Sequence, residues 1–100
     1  GAVRLGPPSP MMGLAEGVET ALSAQLLYAL PVWASLGASR LKSVRLPKAC
    51  RTVVLFADNG CSGLRLARDA CAQFRRQGRR AWLQPPSQEF GDFNDMLRAA

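Results

Sequence analysis

Val53-Val54-Leu55-Phe56-Ala57-Asp58-Asn59-Gly60-Cys61-Ser62-Gly63 runs from unbroken apolar residues into an acid and then into small turn residues, with an amphipathic pattern directly behind it. An apolar run of this length bounded by turn signals reads as a strand buried on both faces, the kind that parallel sheets use. In an open α/β sheet, ligands bind in the crevice outside the strands' carboxyl ends. Asp58 stands at such an end.

Toward the C-terminus, Leu64, Ala67, Ala70, Cys71 and Phe74 recur at helical spacing and predict a helix over about 62–77. Arg65, Arg68, Asp69, Arg75 and Arg76 form its polar face, and Gly78 is its stop. Arg75, Arg76, Arg79 and Arg80 read as a solvated basic surface. Ala81-Trp82-Leu83 predicts a short strand closed by Pro85-Pro86, with Trp82, like Trp33, in the core. Glu89 to Leu97 reads as an acidic turn feeding a last short helix.

Toward the N-terminus, Met11 to Ala15 repeats the opening pattern, apolar strand and then Glu16-Gly17. Val18, Ala21, Leu22, Gln25, Leu26 and Ala29 predict a helix face, and Pro31 ends that helix. Val32 to Leu36 is a third strand, closed by Gly37. Ser39 is expected to cap a short helix with Leu41 and Val44 inward and Arg40, Lys42 and Arg45 outward. Residues 1–10 carry three prolines and no periodicity, which predicts a linker in which Val3 to Leu5 could form an edge strand. The remainder, residues 11–100, reads as one domain. Strands alternating with helices imply a central parallel sheet of about four strands with helices on both faces, an α/β, Rossmann-like architecture.

One hundred residues support one modest core. The absence of histidine and of a C-x-x-C pair leaves too few soft ligands for zinc. Cys50, Cys61 and Cys71 are odd in number and widely spaced, which implies free thiols and a reducing, cytoplasmic setting. No apolar run is long enough to span a membrane. Thirteen basic residues, eleven of them Arg, against seven acids give a net charge of +6, the balance of a protein that meets polyanions. An Arg-rich compositional bias is the bland alternative. The chain does not open with Met, which reads as an excised segment, expected to be monomeric and to work beside other domains of a longer protein.

In a parallel sheet the strand ends share one edge, so Glu16, Asp58, Asp92 and Asp95 are expected to converge although dozens of residues separate them. Clustered carboxylates without histidine are hard oxygen ligands suited to Mg²⁺ or Mn²⁺ together with substrate phosphates. Each acid singly could equally be a helix cap or a solvated turn residue. Glu19 lies one turn beyond Glu16, placed either to support the site or to complement the helix dipole. Arg65 and Arg68, at the start of the helix after Asp58, stand where a phosphate could approach.

These segments resemble the Toprim domain shared by bacterial primases, topoisomerases and related nucleases, and most of all the Toprim domains of primase-like proteins of phages, plasmids and integrated elements. Leu14-Ala15-Glu16-Gly17-Val18-Glu19-Thr20-Ala21-Leu22 is similar to that family's glutamate motif, and Ala34 to Ser39 to its small-residue turn. Val53 to Gly63 is similar to the strand-Asp-x-Asp-x-x-Gly motif, and Gly91-Asp92-Phe93-Asn94-Asp95 to the closing Asp-Phe-Asn-Asp motif. The resemblance covers about residues 11–98, with the motifs in order.

The resemblance implies that Glu16 is the catalytic acid/base. It further implies that Asp58, Asp92 and Asp95 bind a weakly held Mg²⁺ or Mn²⁺, with Asn59, Asn94 and Glu19 beside them. Arg65, Arg68 and Lys42 would meet the phosphates. Gly60 departs from the pattern, because it stands where the motif's second aspartate belongs; one carboxylate is lost and metal affinity should fall. The implied function is Mg²⁺-dependent nucleotidyl transfer by a primase-like protein in DNA replication, with a DNA template and nucleotides as partners. The alternative is a degenerate Toprim module that binds nucleic acid or a replication partner without catalysis. A generic dinucleotide binder is disfavoured, since no G-x-G-x-x-G follows the first strand.

Overall fold

The structure, a computed structural model, describes residues 2–58, 61–87, 89–90 and 92–100. Nine elements follow in order: β1 (Val3–Arg4), β2 (Met11–Ala15), α1 (Val18–Tyr28), β3 (Val32–Ala34), a 3₁₀ helix (Ala38–Ser43), β4 (Thr52–Phe56), α2 (Cys61–Arg76), β5 (Arg80–Gln84) and α3 (Phe93–Ala99). The sheet has five strands in the order β1-β3-β2-β4-β5. Strands β2 to β5 pair in parallel, and β1 adds an antiparallel edge through Val3 opposite Ala34. The chain moves outward from β2 to β3, then returns past β2 to β4. The strand order therefore reverses between β2 and β4, and the carboxyl ends of those two strands form the switch-point crevice.

Alternate residues of a strand face opposite sides of the sheet, so each strand feeds two cores. Met12 and Leu14 of β2 and Val53 and Leu55 of β4 pack with Ala67, Ala70, Cys71 and Phe74 of α2 and with Leu41 of the 3₁₀ helix. Ala15, Val54 and Phe56 pack on the other side with Ala21 and Ala24 of α1 and Phe93 of α3. Phe56 is the hinge of that second core. Its ring centroid is 5.0 Å from Tyr28 and 5.5 Å from Phe93, joining α1, β4 and α3. Gly13 makes room for it, since a Cβ there would stand 2.5 Å from Phe56 Cε2 and 2.8 Å from Val32 Cγ2.

α1 turns a different face inward from the one its spacing predicts. Ala21, Ser23 and Ala24 are buried, whereas Leu22 and Leu26 are 44% and 69% exposed. The helix is apolar nearly all round, so periodicity does not select a face. The small residues let the helix approach the sheet closely while Phe56 and Phe93 fill the gap. Gln25, expected on the buried stripe, instead ties loops together: its amide donates to the Leu5 carbonyl at 3.2 Å, and its carbonyl oxygen accepts from Val32 N–H at 3.0 Å.

The segment after β3 also departs from expectation. It is a 3₁₀ helix entered from Gly37, with no side-chain cap, and Ser39 lies inside it. Leu36 and Gly37 both take positive φ, 62° and 153°. The turn they make is fixed by Ser35 Oγ donating to the Gly37 carbonyl at 2.7 Å, and that leaves no place for a capping serine. Leu41 and Val44 are buried as the spacing requires.

α2 ends in the doubled hydrogen bonds of a Schellman motif. Arg79 N–H donates to the Phe74 carbonyl and Gly78 N–H to the Arg75 carbonyl, with Gly78 at φ 88°. Two of the arginines behind it are not merely solvated. Arg79 donates from Nε to the Cys50 carbonyl at 2.9 Å and from Nη2 to the Leu46 and Pro47 carbonyls at 3.0 and 3.1 Å. Arg75 Nε donates to the Ala81 carbonyl at 2.9 Å. Their guanidinium forks satisfy loop and strand-edge carbonyls that would otherwise lack partners. Trp82 is 39% exposed, not core, because β5 is an edge strand and its face beside Val54 extends beyond the cover of α1 and α3. Trp33 is 2% exposed, as expected. Among the described residues no helix is long and apolar enough to cross a membrane.

Candidate functional site

Parallel pairing sets Ala15 of β2 opposite Phe56 of β4, so Glu16 and Asp58 leave neighbouring strands one residue out of step at the same edge. The chain turns sharply after each. Glu16 enters α1 through Gly17, and its carbonyl accepts from Gly37 N–H at 3.2 Å, so the turn after β3 is tied to the backbone beside the acid. Glu16, Gly17, Thr20, Leu41, Phe56, Ala57, Asp58 and Gly63 line a cleft of about 340 Å³. A Cβ added at Gly17 or Gly63 would meet nothing within 4 Å, so both glycines border open space.

Asp58 is the electrostatic centre of the cleft. Part of its side chain reaches solvent, yet partial burial pushes its carboxyl above the ordinary value of 3.8. The negative charges of Asp92 and Glu16 push the same way. Two nearby donors oppose the shift by favouring the charged form, the Phe93 backbone N–H first and then the Thr20 hydroxyl. The Phe56–Phe93 ring contact thus does more than fill space, because it seats the start of α3 where its first amide reaches Asp58. Asp92 caps α3, its Oδ1 accepting from Asp95 N–H at 2.8 Å.

Three of the four acids expected to converge, Glu16, Asp58 and Asp92, therefore lie near one another at this edge. Asp95 is turned elsewhere: its carboxylate lies 3.7 Å from Arg98 on the exposed side of α3, and it is not among the groups that shift Asp58. Glu19 is exposed in the first turn of α1 and likewise does not act on Asp58. Asn94 is half-buried in α3. Asn59 and Gly60 lie outside the described residues. Arg65 and Arg68 are exposed on α2 and line no described cavity, whereas Lys42 lines a separate basic one. Thr20 and the Phe93 amide are site groups that the sequence reading leaves out. The signal for Thr20 was present, since it lies four residues after Glu16 and one helical turn places it above that acid.

The family model of the Toprim domain matches residues 11–100. The chain belongs to the Toprim family. No curated protein and no solved structure matches it. Toprim domains occur in primases, topoisomerases and nucleases, act on nucleic acids, and generally bind Mg²⁺. The mostly parallel sheet and its three helices agree with the Rossmann-like Toprim fold.

The donor chemistry of this Toprim cleft suits a hard divalent cation. Its acidic groups are carboxylates that repel one another, and they line an open cleft. Among the described residues, however, no group of three or more acidic or thiol side chains is placed to hold a metal alone. Mg²⁺ is commonly held by one or two carboxylates, with water and substrate phosphates completing its shell. The residues present fit that partial kind of site and not a closed cage.

Proposed function

We propose that this Toprim domain binds a polynucleotide phosphodiester or nucleotide phosphate at the cleft lined by Glu16 and Asp58, with Asp92 close enough to act on Asp58, and carries out Mg²⁺-dependent phosphoryl chemistry there. Nucleotidyl transfer on a DNA template, as in primase-like proteins, is the specific form. The observation that carries the proposal is the placement of Asp58 at the switch point, where partial burial and then the charges of Asp92 and Glu16 raise its pKa.

Asp58, supported by Asp92, would hold the cation, and Glu16 from the adjacent strand end faces the same open space. A bound Mg²⁺ would supply charge neutralisation and orientation of the phosphoryl oxygens. The Thr20 hydroxyl and the Phe93 amide keep Asp58 oriented and favour its ionised form, the form a cation needs. Glu16 is exposed to the cleft and its carboxylate accepts no hydrogen bond among the described residues, so it can exchange a proton with an attacking or leaving oxygen. Leu41 and Phe56 form the apolar floor, which lowers the local dielectric and strengthens each of these charges. Cytoplasmic residence and partnership with further domains of a longer protein belong to the same proposal.

A second function is favoured by one observation: no three ligands are preassembled among the described residues, and Gly60 brings no carboxylate. On that alternative the domain binds nucleic acid without catalysis. A Mg²⁺ and Mn²⁺ titration followed by NMR separates the two. The catalytic proposal expects metal-dependent shifts or paramagnetic broadening at Glu16, Asp58 and Asp92, tightened in Gly60→Asp and lost in Asp58→Asn. Wild-type spectra unchanged up to about millimolar metal, a concentration that even weak carboxylate sites bind, would leave only the binding function standing.

A further inference from the structure

The cations of this domain are not spread evenly, and the largest concavity among those described lies away from the acids. A cavity of about 610 Å³ is bounded by Lys42, Arg45, Gln73, Arg76 and Arg79. A second, of about 430 Å³, is bounded by Arg4, Trp33, Arg40 and Arg45. They share Ser43, Val44 and Arg45, so together they form one trough along the 3₁₀ helix and the segment after it. No acid lines either part. Among the described residues the one ion pair within 4 Å is Arg98 with Asp95, far along the chain from the trough, so its positive charge is not neutralised by the protein.

The trough is also built and not merely basic. Arg79 is immobilised by the Leu46, Pro47 and Cys50 carbonyls, which shapes the floor. Arg4 is held 4.9 Å over the Trp33 ring by a cation–π contact. Ser43 and Gln73 add neutral hydrogen-bonding groups. The 3₁₀ helix is at the same time a wall of the acidic cleft, since Leu41 lines the cleft while its neighbours Arg40 and Lys42 line the trough. The two sites are thus opposite sides of one short element.

We propose that this trough is a second binding site, for the sugar-phosphate backbone of a single polynucleotide strand on its way to the acidic cleft. The inference rests on the nucleic-acid function proposed above. The chemistry selects backbone over bases. Guanidinium forks match phosphate oxygens, and Trp33, the aromatic ring lining the trough, is buried and presents no stacking platform. Binding here is therefore independent of base sequence and steeply dependent on salt. Arg65 and Arg68, which the sequence alone marks as phosphate contacts, line neither part of the trough.

The test is fluorescence anisotropy with a labelled oligothymidylate of about twenty nucleotides, a length that spans an ordinary single-strand site. Titrations run in EDTA at roughly 50 to 200 mM salt, the range over which phosphate contacts weaken most visibly. Arg45→Glu/Arg76→Glu is the trough variant, and Arg65→Glu/Arg68→Glu is the charge-matched comparison on α2. The trough variant is expected to lose about tenfold or more in affinity and about 1.4 in salt slope, 0.7 for each lost single-strand contact. The comparison variant is expected to retain most of both. Equal losses in the two variants, or a larger loss in the α2 variant, overturn the proposal.

Circular dichroism and wild-type NMR mapping guard against a misfolded variant. Oligonucleotide-induced shifts at Ser43, Arg45, Gln73 and Arg76 support the trough, and shifts confined to other residues refute it. Inorganic triphosphate supplies the other phosphate source. Shifts of the trough residues with triphosphate but not with the oligonucleotide would mean a site for free phosphate groups and would end the strand proposal. Failure of the trough thus shows in strand binding and failure of the catalytic function in metal binding, and neither result can imitate the other.

Discussion

Replacing Gly13 with alanine should disturb the site from inside the core. The new Cβ would stand 2.5 Å from Phe56 Cε2, 2.9 Å from its Cδ2 and 2.8 Å from Val32 Cγ2. Carbon atoms settle about 3.5–4.0 Å apart, so the ring must retreat by about 1 Å. It has little room to do so, with Tyr28 at 5.0 Å and Phe93 at 5.5 Å between centroids, and Phe56 itself 1% exposed. Overpacking of this kind costs about 1–3 kcal/mol, and the crowded ring argues for the upper half of that range. The alanine's lower unfolded-state entropy returns about 0.4–1 kcal/mol. The net expectation is a loss of about 2 kcal/mol, read in urea unfolding as a midpoint lowered by about 1 M at an ordinary slope. Because the Phe93 amide lies close enough to act on Asp58, the Phe93 N–H resonance should shift as well. Phe56→Leu in the Gly13→Ala background should recover part of the loss, giving a coupling of about 1 kcal/mol in the double-mutant cycle. An unchanged or raised midpoint, or strict additivity with Phe56→Leu, would refute the packing argument.

Asp58→Asn should raise Tm at neutral pH in EDTA. A carboxyl whose pKa is raised on folding binds its proton more tightly in the folded state, so ionisation costs stability. That cost is absent below the ordinary value of 3.8, grows as pH rises toward the raised folded value, and is constant above it. The gap between variant and wild type should therefore close in acid, and a gap that widens in acid would contradict the assigned shift. Arg79→Lys should lower Tm by roughly 4–8 °C for each kcal/mol lost, with about 1–2 kcal/mol expected. A point-charge ammonium cannot span the Leu46, Pro47 and Cys50 carbonyls as the fork does. Amide exchange at Cys50, whose N–H donates to the Pro47 carbonyl at 2.9 Å, should quicken in step, and a lysine variant with wild-type Tm would remove the clamp from the account.

The strands and α2 were legible because their patterns are unambiguous. Val53 to Phe56 is apolar without interruption, and α2 has a clean division between Ala67, Ala70, Phe74 and its arginines. α1 was not, since a helix with leucines at 22, 26 and 27 offers more than one apolar face, and only the aromatic trio across the gap selects one. The acids of the cleft were readable from topology alone, because parallel strands send their carboxyl ends to one edge. Asp95 was not separable from Asp92 by sequence, as the choice depends on the α3 cap and on Arg98. The basic trough was invisible for another reason. Its residues come from β1, the 3₁₀ helix and the far end of α2, and no local spacing relates Arg4 to Arg45 or Arg76.

The antiparallel strand β1 has a bearing on how this sheet can grow. By pairing with β3 it occupies that edge, and Trp33 Nε1 donating to the Gly6 carbonyl at 3.0 Å fastens the segment behind it. Hydrogen-bonding capacity for a newcomer remains along β5, on the opposite side. There the backbone is flanked by the charge of Arg80 at its start and closed by Pro85-Pro86, which has no N–H to offer, just past its end. An extra strand that pairs with β5 therefore meets a short stretch between a charge and two prolines, with the Ala81 carbonyl already taken by Arg75.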